Sequence, residues 1–419
     1  MFKFRGYQWK IIDRASEIIN EHGFVYLAME VRTGKTLTSL GIAQFLGCRE
    51  VLFVTKKKAI SSIEEDYEMM NPTFQLSVIN YESLHKIEDR PYELIVLDEA
   101  HTLGAFPKPS KRAKDVSRLI KLFGSYIVLM SGTPTPESYS QMYHQVYGIP
   151  NNPFQEYTSF YKFAKDFVDV KQRKINSLYI NDYSQGMLSI INAVKPMTIS
   201  FSQNEAGFVN EITEKVLEVR LKPQTYTLAD NLKKHLVVQG ENEVILGDTP
   251  AKLMQKLHQI YSGTVRFESG NSMVLDTTKA EFIKRTFKGK KIGVFYKFKE
   301  ELNAMRQVFG KENLTTELSV FKDTDCQVIC LQIVSGREGI SLREADALVY
   351  YNIDFSATSY WQSRDRMTTK NRRQSDVYWI FSEKGIERDI YKAVIKKKDY
   401  TVRHFKETQI KKQNSDGDK

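Results

Sequence analysis

Apolar residues along the chain gather in short continuous runs, and each run ends in polar or small residues. Runs of this length without a polar face are typical of strands buried on both sides of a parallel sheet. Between the runs, apolar residues recur at helical spacing, as in residues 11–19. This alternation of strand and helix predicts an α/β fold built on doubly wound parallel sheets. In the first half, the predicted strands are residues 24–28, 50–55, 77–84, 93–97 and 126–130.

The same alternation recurs in the second half, so two lobes are expected in a chain of 419 residues. Here the predicted strands are residues 291–296, 327–332, 347–352 and 377–381. Between the halves, aromatic residues at helical spacing predict a packed helical extension, although aromatics in a basic protein also stack on bases. The predicted divisions are lobe 1 (1–150), a helical extension and inter-lobe linker (151–288), lobe 2 (289–404) and a disordered polar tail (405–419).

The charge of the chain points to a polyanionic partner. The net charge is +10 and the pI is about 9.1. Nucleic acid is the first candidate, an acidic membrane surface the second, and a solvated basic surface the remaining alternative. No apolar run reaches the roughly 18 residues of a membrane span, and the three cysteines are too few for a disulfide framework. A cytoplasmic location is expected.

Residues 29–36 form a candidate phosphate loop between a predicted strand and a predicted helix. In such a loop, backbone N–H groups and the helix N-terminus face the phosphates. Lys35 supplies a positive charge and the Thr36 hydroxyl is available to Mg²⁺. The strict pattern has glycine five residues before Gly34, where this chain has Met29.

Two adjacent carboxylates follow the apolar run 94–97. Neighbouring acids repel each other unless a cation or a function holds them there. Mg²⁺ is such a cation: Asp98 is expected to hold it, and Glu99 to polarise an attacking water. Combined with Gly34, Lys35 and Thr36, the pair predicts nucleoside triphosphate hydrolysis.

Other candidate groups lie at the ends of predicted elements. The carboxamide of Gln8 has the geometry to read an adenine edge, with a surface glutamine at a helix start as the alternative. Lys56 and Lys57 follow a strand at the ligand-binding edge of an open α/β sheet. Small hydroxyl residues at positions 131–134 follow another strand and are placed to sense phosphate.

Taken together, these motifs resemble those of the superfamily 2 helicases and translocases, and most closely the SNF2-like branch in a compact form typical of phages. Residues 98–101 read Asp-Glu-Ala-His, a DEAH box, and correspond to motif II. The other similar segments are residues 4–8 (Q motif), 30–36 (motif I), 51–58 (Ia), 79–84 (Ib), 131–134 (III), 292–296 (IV), 336–342 (V) and 362–366 (VI).

The resemblance implies two RecA-like lobes that use ATP and Mg²⁺, with DNA lying across both. It assigns nucleotide contacts to Arg5, Gln8, Thr33, Gly34, Lys35, Thr36 and Gly339. It adds Gln362 and Arg366 to the catalytic residues Lys35, Asp98 and Glu99, with Arg366 as an arginine finger. The implied nucleic-acid contacts are Lys56, Lys57, Tyr81, Ser335 and Gly336.

Three positions depart from the family pattern. Arg32 stands where motif I usually has glycine, and Ser341 replaces an acidic or amide residue in motif V. Motif VI usually carries a second arginine where this chain has Thr369. Lys370 or Arg372 could take its place, or one arginine could suffice.

The resulting hypothesis is an ATP-dependent translocase or helicase acting on duplex or branched DNA, in branch migration, fork remodelling or unwinding. It is expected to be a monomer or weak oligomer without a membrane partner, in the host cytoplasm if phage-encoded. One alternative is an RNA-directed helicase, although the sequence shows no clear device for the 2′-OH. The other is a regulatory DNA-binding protein that keeps nucleotide as a structural ligand.

Overall fold

The computed structural model describes residues 2–87, 90–175, 178–207, 211–336, 342–364 and 374–396. The chain divides into two compact units, Met1–Phe208 and Val209–Lys419. Within the described residues, no helix combines the length and apolar character needed to cross a membrane.

The first unit is organised around a six-stranded sheet in the order β3-β2-β4-β5-β1-β8, and every neighbouring pair is parallel. A separate antiparallel hairpin, β6–β7, accompanies it. The strands are β1 (Phe24–Met29), β2 (Glu50–Thr55), β3 (Gln75–Asn80), β4 (Leu94–Leu97), β5 (Tyr126–Met130), β6 (Lys171–Ile175), β7 (Leu178–Asp182) and β8 (Thr198–Phe201).

Helices cover both faces of this sheet because its central strands are almost wholly apolar and buried. The register pairs Val54 with Leu97, Leu97 with Leu129 and Leu27 with Met130, so these strands end at one edge. The helices are α1 (Gly6–His22), α2 (Lys35–Phe45), α3 (Ile60–Met70), α4 (Lys111–Phe123), α5 (Met142–Val146), α6 (Phe160–Phe167) and α7 (Leu188–Val194).

The second unit repeats the plan with a six-stranded sheet in the order β15-β16-β14-β17-β18-β9, again parallel throughout. Its antiparallel hairpins are β10–β11 and β12–β13. The strands are β9 (Glu211–Val219), β10 (Val237–Gln239), β11 (Val244–Leu246), β12 (Thr264–Arg266), β13 (Ser272–Val274), β14 (Ile292–Tyr296), β15 (Leu314–Thr315), β16 (Val328–Gln332), β17 (Ala347–Tyr350) and β18 (Gln374–Ser382).

Two buried clusters of apolar residues hold the second unit together, and its helices supply much of both. These helices are α8 (Pro223–His235), α9 (Pro250–Tyr261), α10 (Thr278–Thr286), α11 (Lys299–Phe309), α12 (Leu318–Asp323), α13 (Ile333–Gly336), α14 (Ala357–Arg364) and α15 (Glu387–Val394).

The predicted fold class of two doubly wound parallel-sheet lobes is confirmed. The division between the units falls after Phe208, inside the segment 151–288 that was expected to link the lobes. The reason is that residues 151–288 supply an edge strand to each sheet, β8 to the first and β9 to the second. This segment also contains three antiparallel hairpins, which the expectation of a helical extension did not include.

Candidate nucleotide-binding site

The candidate phosphate loop joins the end of β1 to the start of α2. Its backbone is left-handed at Arg32 (φ 64°) and at Gly34 (φ 82°). The Lys35 ammonium donates hydrogen bonds to the carbonyls of Met29 at 3.0 Å and Glu30 at 3.1 Å. A positive charge therefore lies inside the loop beside the N-terminus of α2, where the helix dipole also favours an anion.

Gly34 is required at its position for two reasons. Its left-handed backbone conformation is unfavourable for residues with a side chain, and an added Cβ would lie 2.7 Å from Nε2 of Gln8. Arg32 adopts a left-handed conformation without being glycine, which costs roughly 1–2 kcal/mol. A glycine at position 32 would adopt this left-handed conformation without that cost.

Gln8 is buried, and its carboxamide is bonded to the phosphate loop. Its Oε1 accepts from the backbone N–H of Arg5 at 2.9 Å. Its Nε2 donates to the Gly34 carbonyl and to the Thr38 hydroxyl, both at 3.3 Å. The amide thus supports the loop in this structure, and its reading of an adenine edge stays a prediction.

The N-terminal segment supports the loop at a second point. The Arg5 guanidinium donates to the Tyr7 hydroxyl at 2.9 Å, and that hydroxyl donates to the Thr33 carbonyl at 3.0 Å. The Tyr7 ring stacks on Phe201 at the end of β8, with 4.7 Å between the ring centroids. Arg5 and Thr33 are therefore connected through Tyr7, and their contact with nucleotide stays a prediction.

Gln203 is a residue that the sequence analysis missed. Its side-chain amide donates to the Val31 carbonyl at 2.9 Å, and its backbone N–H donates to Oε2 of Glu30 at 2.8 Å. The segment after β8 thus holds the first half of the phosphate loop. Neither residue type nor local spacing signals this contact, which arises because β8 pairs with β1.

The acid pair follows the fully buried strand β4. The Thr55 hydroxyl donates to Oδ2 of Asp98 at 2.8 Å, and the Tyr81 hydroxyl donates to the Asp98 carbonyl at 2.6 Å. Burial, followed by the negative charge of Glu99, raises the pKa of Asp98 to about 6, whereas the Thr55 hydrogen bond opposes that rise.

Glu99, which follows Asp98 at the end of β4, has a left-handed backbone (φ 49°). Its Oε2 lies 3.1 Å from Nδ1 of His101, and that nitrogen lies 2.9 Å from the Ser131 hydroxyl. Burial acts to raise the pKa of Glu99, but the hydrogen bond and charge interaction with His101, together with the charges of Lys56 and Lys35, lower it to about 2. Glu99 is thus an ionised carboxylate, as a general base must be.

Residues 131–133 connect the acid pair to the phosphate loop. The Ser131 hydroxyl that lies beside His101 also accepts from the backbone N–H of Thr133 at 3.1 Å. A Cβ on Gly132 would lie 3.5 Å from the Met29 carbonyl and 3.8 Å from the Lys35 ammonium. The structure therefore brings motifs I, II and III to one edge of the sheet.

The residues at this edge fit a magnesium–nucleotide complex. The described residues contain no group of three or more His, Cys, Asp or Glu side chains able to hold a metal ion by themselves. Mg²⁺ in such sites is bound by one or two carboxylates together with substrate phosphates. Asp98 and Thr36 are the predicted ligands. Burial, followed by the negative charge of Glu99, raises the pKa of Asp98, and a bound cation would favour its ionised form.

The predicted nucleic-acid contacts of the first unit fall in different environments. Lys57 is exposed, while Lys56 is half-buried and its charge acts on both carboxylates of the acid pair. Tyr81 is only 1% exposed, and the Arg112 guanidinium covers its ring at 5.7 Å. The Tyr81 side chain supports Asp98 in this structure, and its contact with nucleic acid stays a prediction.

The five remaining predicted site residues belong to the second unit. Gln362 lies in α14, and Ser335 and Gly336 end α13. Gly339 and Arg366 lie outside the described residues, as do positions 341, 369, 370 and 372. Their roles stay predictions.

A half-buried carboxylate, Glu214, anchors the helix that carries Gln362. Glu214 on β9 accepts from the Tyr360 hydroxyl at 2.8 Å, from the Arg364 guanidinium at 2.8 Å and from the Trp379 indole at 2.9 Å. The Tyr391 hydroxyl donates to it at 3.3 Å. This four-donor cluster joins α14, α15 and β18 to the edge strand. It also gives Arg364 a structural partner.

Residues 26–239, more than half of the 419-residue chain, match the SNF2-related domain, and the chain belongs to this family. Membership of this family indicates an ATP-hydrolysing enzyme. Comparison with the curated proteins finds no match.

Among solved structures, the chain is similar to the Sulfolobus solfataricus SWI2/SNF2 ATPase core in complex with dsDNA. The identity is 15%, the match covers 94% of this chain and 91% of that one, and the TM-score is 0.42. It is also similar to the Sulfolobus solfataricus SWI2/SNF2 ATPase core domain, at 15% identity, 94% and 88% coverage, and a TM-score of 0.44.

Proposed function

We propose that this protein is a DNA-dependent ATPase that couples ATP hydrolysis to movement along duplex or branched DNA. The observation that carries the proposal is the convergence of Lys35, Asp98 and Glu99 at one sheet edge, joined through Ser131 and Gly132. Phosphoryl transfer to water needs a positive charge at the phosphates, a ligand for the metal ion and a base for the water. Lys35, Asp98 and Glu99 supply these three groups.

Each residue has a distinct role in this proposal. Lys35 and the N-terminus of α2 bind the phosphates. Thr36 and Asp98 hold Mg²⁺, which neutralises charge on the phosphate oxygens when it is bound. Glu99 orients the attacking water and accepts its proton.

Gln362 and Arg366 are proposed to act from the second unit. Arg366 would stabilise the negative charge that develops on the transferred phosphoryl group. The anchoring of α14 by Glu214 supports this assignment, because Arg366 lies two residues beyond the end of that helix in the sequence.

DNA is the proposed partner for two reasons. The family is SNF2-related, and the net charge of +10 favours a polyanion. The intact acid pair argues against a regulatory protein that only stores nucleotide. Branch migration, fork remodelling and unwinding are the proposed outcomes of movement, and the compact phage-type assignment stays a prediction.

ATP turnover measured without nucleic acid and with duplex DNA, forked DNA, Holliday junctions or RNA tests this proposal. Stimulation by duplex or branched DNA is expected. Equal turnover in all samples would contradict a motor, and preferential stimulation by RNA would favour the RNA-directed alternative. Displacement of a labelled strand in the same samples separates unwinding from translocation alone.

A further inference from the structure

Helix α4 presents a row of positive charges to solvent. The helix buries Val116, Leu119 and Ile120 in the core of the first unit. Its opposite face carries four exposed cations at spacings of three, four and three residues, which places them on one side of the helix. At 1.5 Å per residue the row is about 15 Å long. Its members are Lys111, Lys114, Arg118 and Lys121.

The charges of this row are not neutralised within the described part of the chain, where none of the four side chains forms an ion pair. The neighbouring Arg112 differs, because it pairs with Glu82 and covers the ring of Tyr81. Like charges three or four residues apart on a helix repel by roughly 0.2–0.5 kcal/mol per pair. A bound anion would relieve this repulsion.

Two cavities flank the row. One, of about 450 Å³, lies beside the apolar side chains of Leu84 and Leu122. The other, of about 320 Å³, lies beside Tyr147. Arg118 and Lys121 line both cavities, and Leu122 is 61% exposed although it is large and apolar. Cations that form no ion pair among the described residues thus border open apolar recesses on a single surface.

We propose that this face of α4 is a docking surface for an acidic protein segment that carries apolar side chains. The carboxylates of the segment would lie along the cationic row, and its apolar side chains would enter the flanking cavities. The row alone would suit nucleic acid equally well. The cavities favour the peptide, because a phosphate backbone has no apolar side chain to fill a recess lined by leucines. The proposal does not depend on ATP hydrolysis.

Fluorescence anisotropy with the full chain tests this surface. The probe is a labelled synthetic peptide of aspartate and glutamate with interspersed leucines. The charge-reversed variant R118E/K121E is compared with K162E/K165E on α6, where both lysines are exposed, three residues apart and without an ion pair among the described residues. Both variants change the net charge equally, so only the location differs.

Wild-type protein and K162E/K165E are expected to bind the peptide with similar affinity, and R118E/K121E about tenfold or more weakly. Replacing the leucines of the peptide by serine is expected to weaken binding about tenfold, since apolar burial is lost. L122S is expected to weaken binding of the leucine peptide and not of the serine peptide.

Three results would overturn the proposal. The first is no peptide binding by the wild-type protein, and the second is equal losses in the two charge-reversed variants. The third is indifference to the leucines combined with a selective loss of duplex DNA binding in R118E/K121E, which would make the face a nucleic-acid surface. Thermal melting checks that each variant folds, and R118Q/K121Q replaces R118E/K121E if the latter does not.

Discussion

The side-chain amide of Gln203 donates a hydrogen bond to the carbonyl of Val31 at 2.9 Å, across 172 positions of sequence. This contact fixes the phosphate loop from outside its own strand and helix. The backbone N–H of Gln203 adds a second contact by bonding Glu30. The phosphate loop has Met29 and Arg32 at positions where glycine is usual. The two contacts from Gln203, which follows the edge strand β8, hold the loop in place.

Gln203→Ala is expected to weaken ATP binding without unfolding the protein. Loss of one neutral hydrogen bond costs about 1 kcal/mol, or roughly fivefold in affinity. The KM for ATP should therefore rise several-fold, with a smaller change in kcat. Gln172→Ala, at an exposed position of β6, is the matched control. An unchanged KM in Gln203→Ala would show that the contact does not shape the nucleotide site.

The fall of kcat/KM for ATP on the acid side of the pH profile should report the ionisation of Asp98. Burial and Glu99 raise its pKa to about 6, and only the ionised form holds Mg²⁺. We therefore expect kcat/KM for ATP to fall as the pH drops through about 6. Thr55→Val removes a hydrogen bond that lowers the pKa of Asp98. The pH at which kcat/KM falls should therefore be higher in this variant than in the wild-type protein.

Thr55→Ser keeps the hydroxyl and is the control for this prediction. Its acid limb should coincide with that of the wild-type protein. Coincident profiles for the valine and serine variants would show that Thr55 does not influence the ionisation of Asp98.

Glu214→Gln is expected to destabilise the second unit and to reduce turnover. It leaves Arg364 partly buried without its carboxylate, and breaking such a pair costs roughly 3–5 kcal/mol when fully buried. The guanidinium is 22% exposed, so the lower end of that range is expected. Turnover should fall because the helix that precedes Arg366 loses its anchor. Chemical denaturation and the kcat for ATP measure the two effects.

Glu218→Gln is the matched control, because Glu218 lies on the same strand and pairs with Arg388 at the surface. An exposed pair contributes about 0–1 kcal/mol, so little change is expected. Removing both charges with E214Q/R364Q should recover part of the stability lost in the single variant. Equal effects of Glu214→Gln and Glu218→Gln would contradict the anchoring role.

The sequence was sufficient to predict the fold class and the central strands, because buried parallel strands are short apolar runs with polar ends. It predicted the edge strand β3 but not the places of β8 and β9 at the edges of the two sheets. Strand β8 has no fully buried residue, and β9 carries charged side chains such as Glu214, so neither has the apolar pattern of a central strand. The division after Phe208 falls inside the segment 151–288 that was expected to link the lobes.

In the candidate site, residues within a local motif could be predicted and residues that support them from a distance could not. Lys35, Asp98 and Glu99 stand directly after strands, where position alone indicates chemistry. Tyr81 was assigned to nucleic acid because its segment resembles motif Ib, but tertiary packing buries it against Asp98. Gln203 and Glu214 depend on strand pairing, which no local spacing encodes.

The claim that this site hydrolyses ATP with Glu99 as the base is tested most directly by DNA-stimulated ATP turnover. The turnover of the wild-type protein is compared with that of Glu99→Gln. The amide keeps the shape of the side chain and loses the base, so ATP binding should persist while kcat falls about a hundredfold or more. Duplex DNA should stimulate the wild-type protein and leave the variant slow. Turnover of Glu99→Gln at the wild-type rate would contradict the assignment of this site as the centre of ATP hydrolysis.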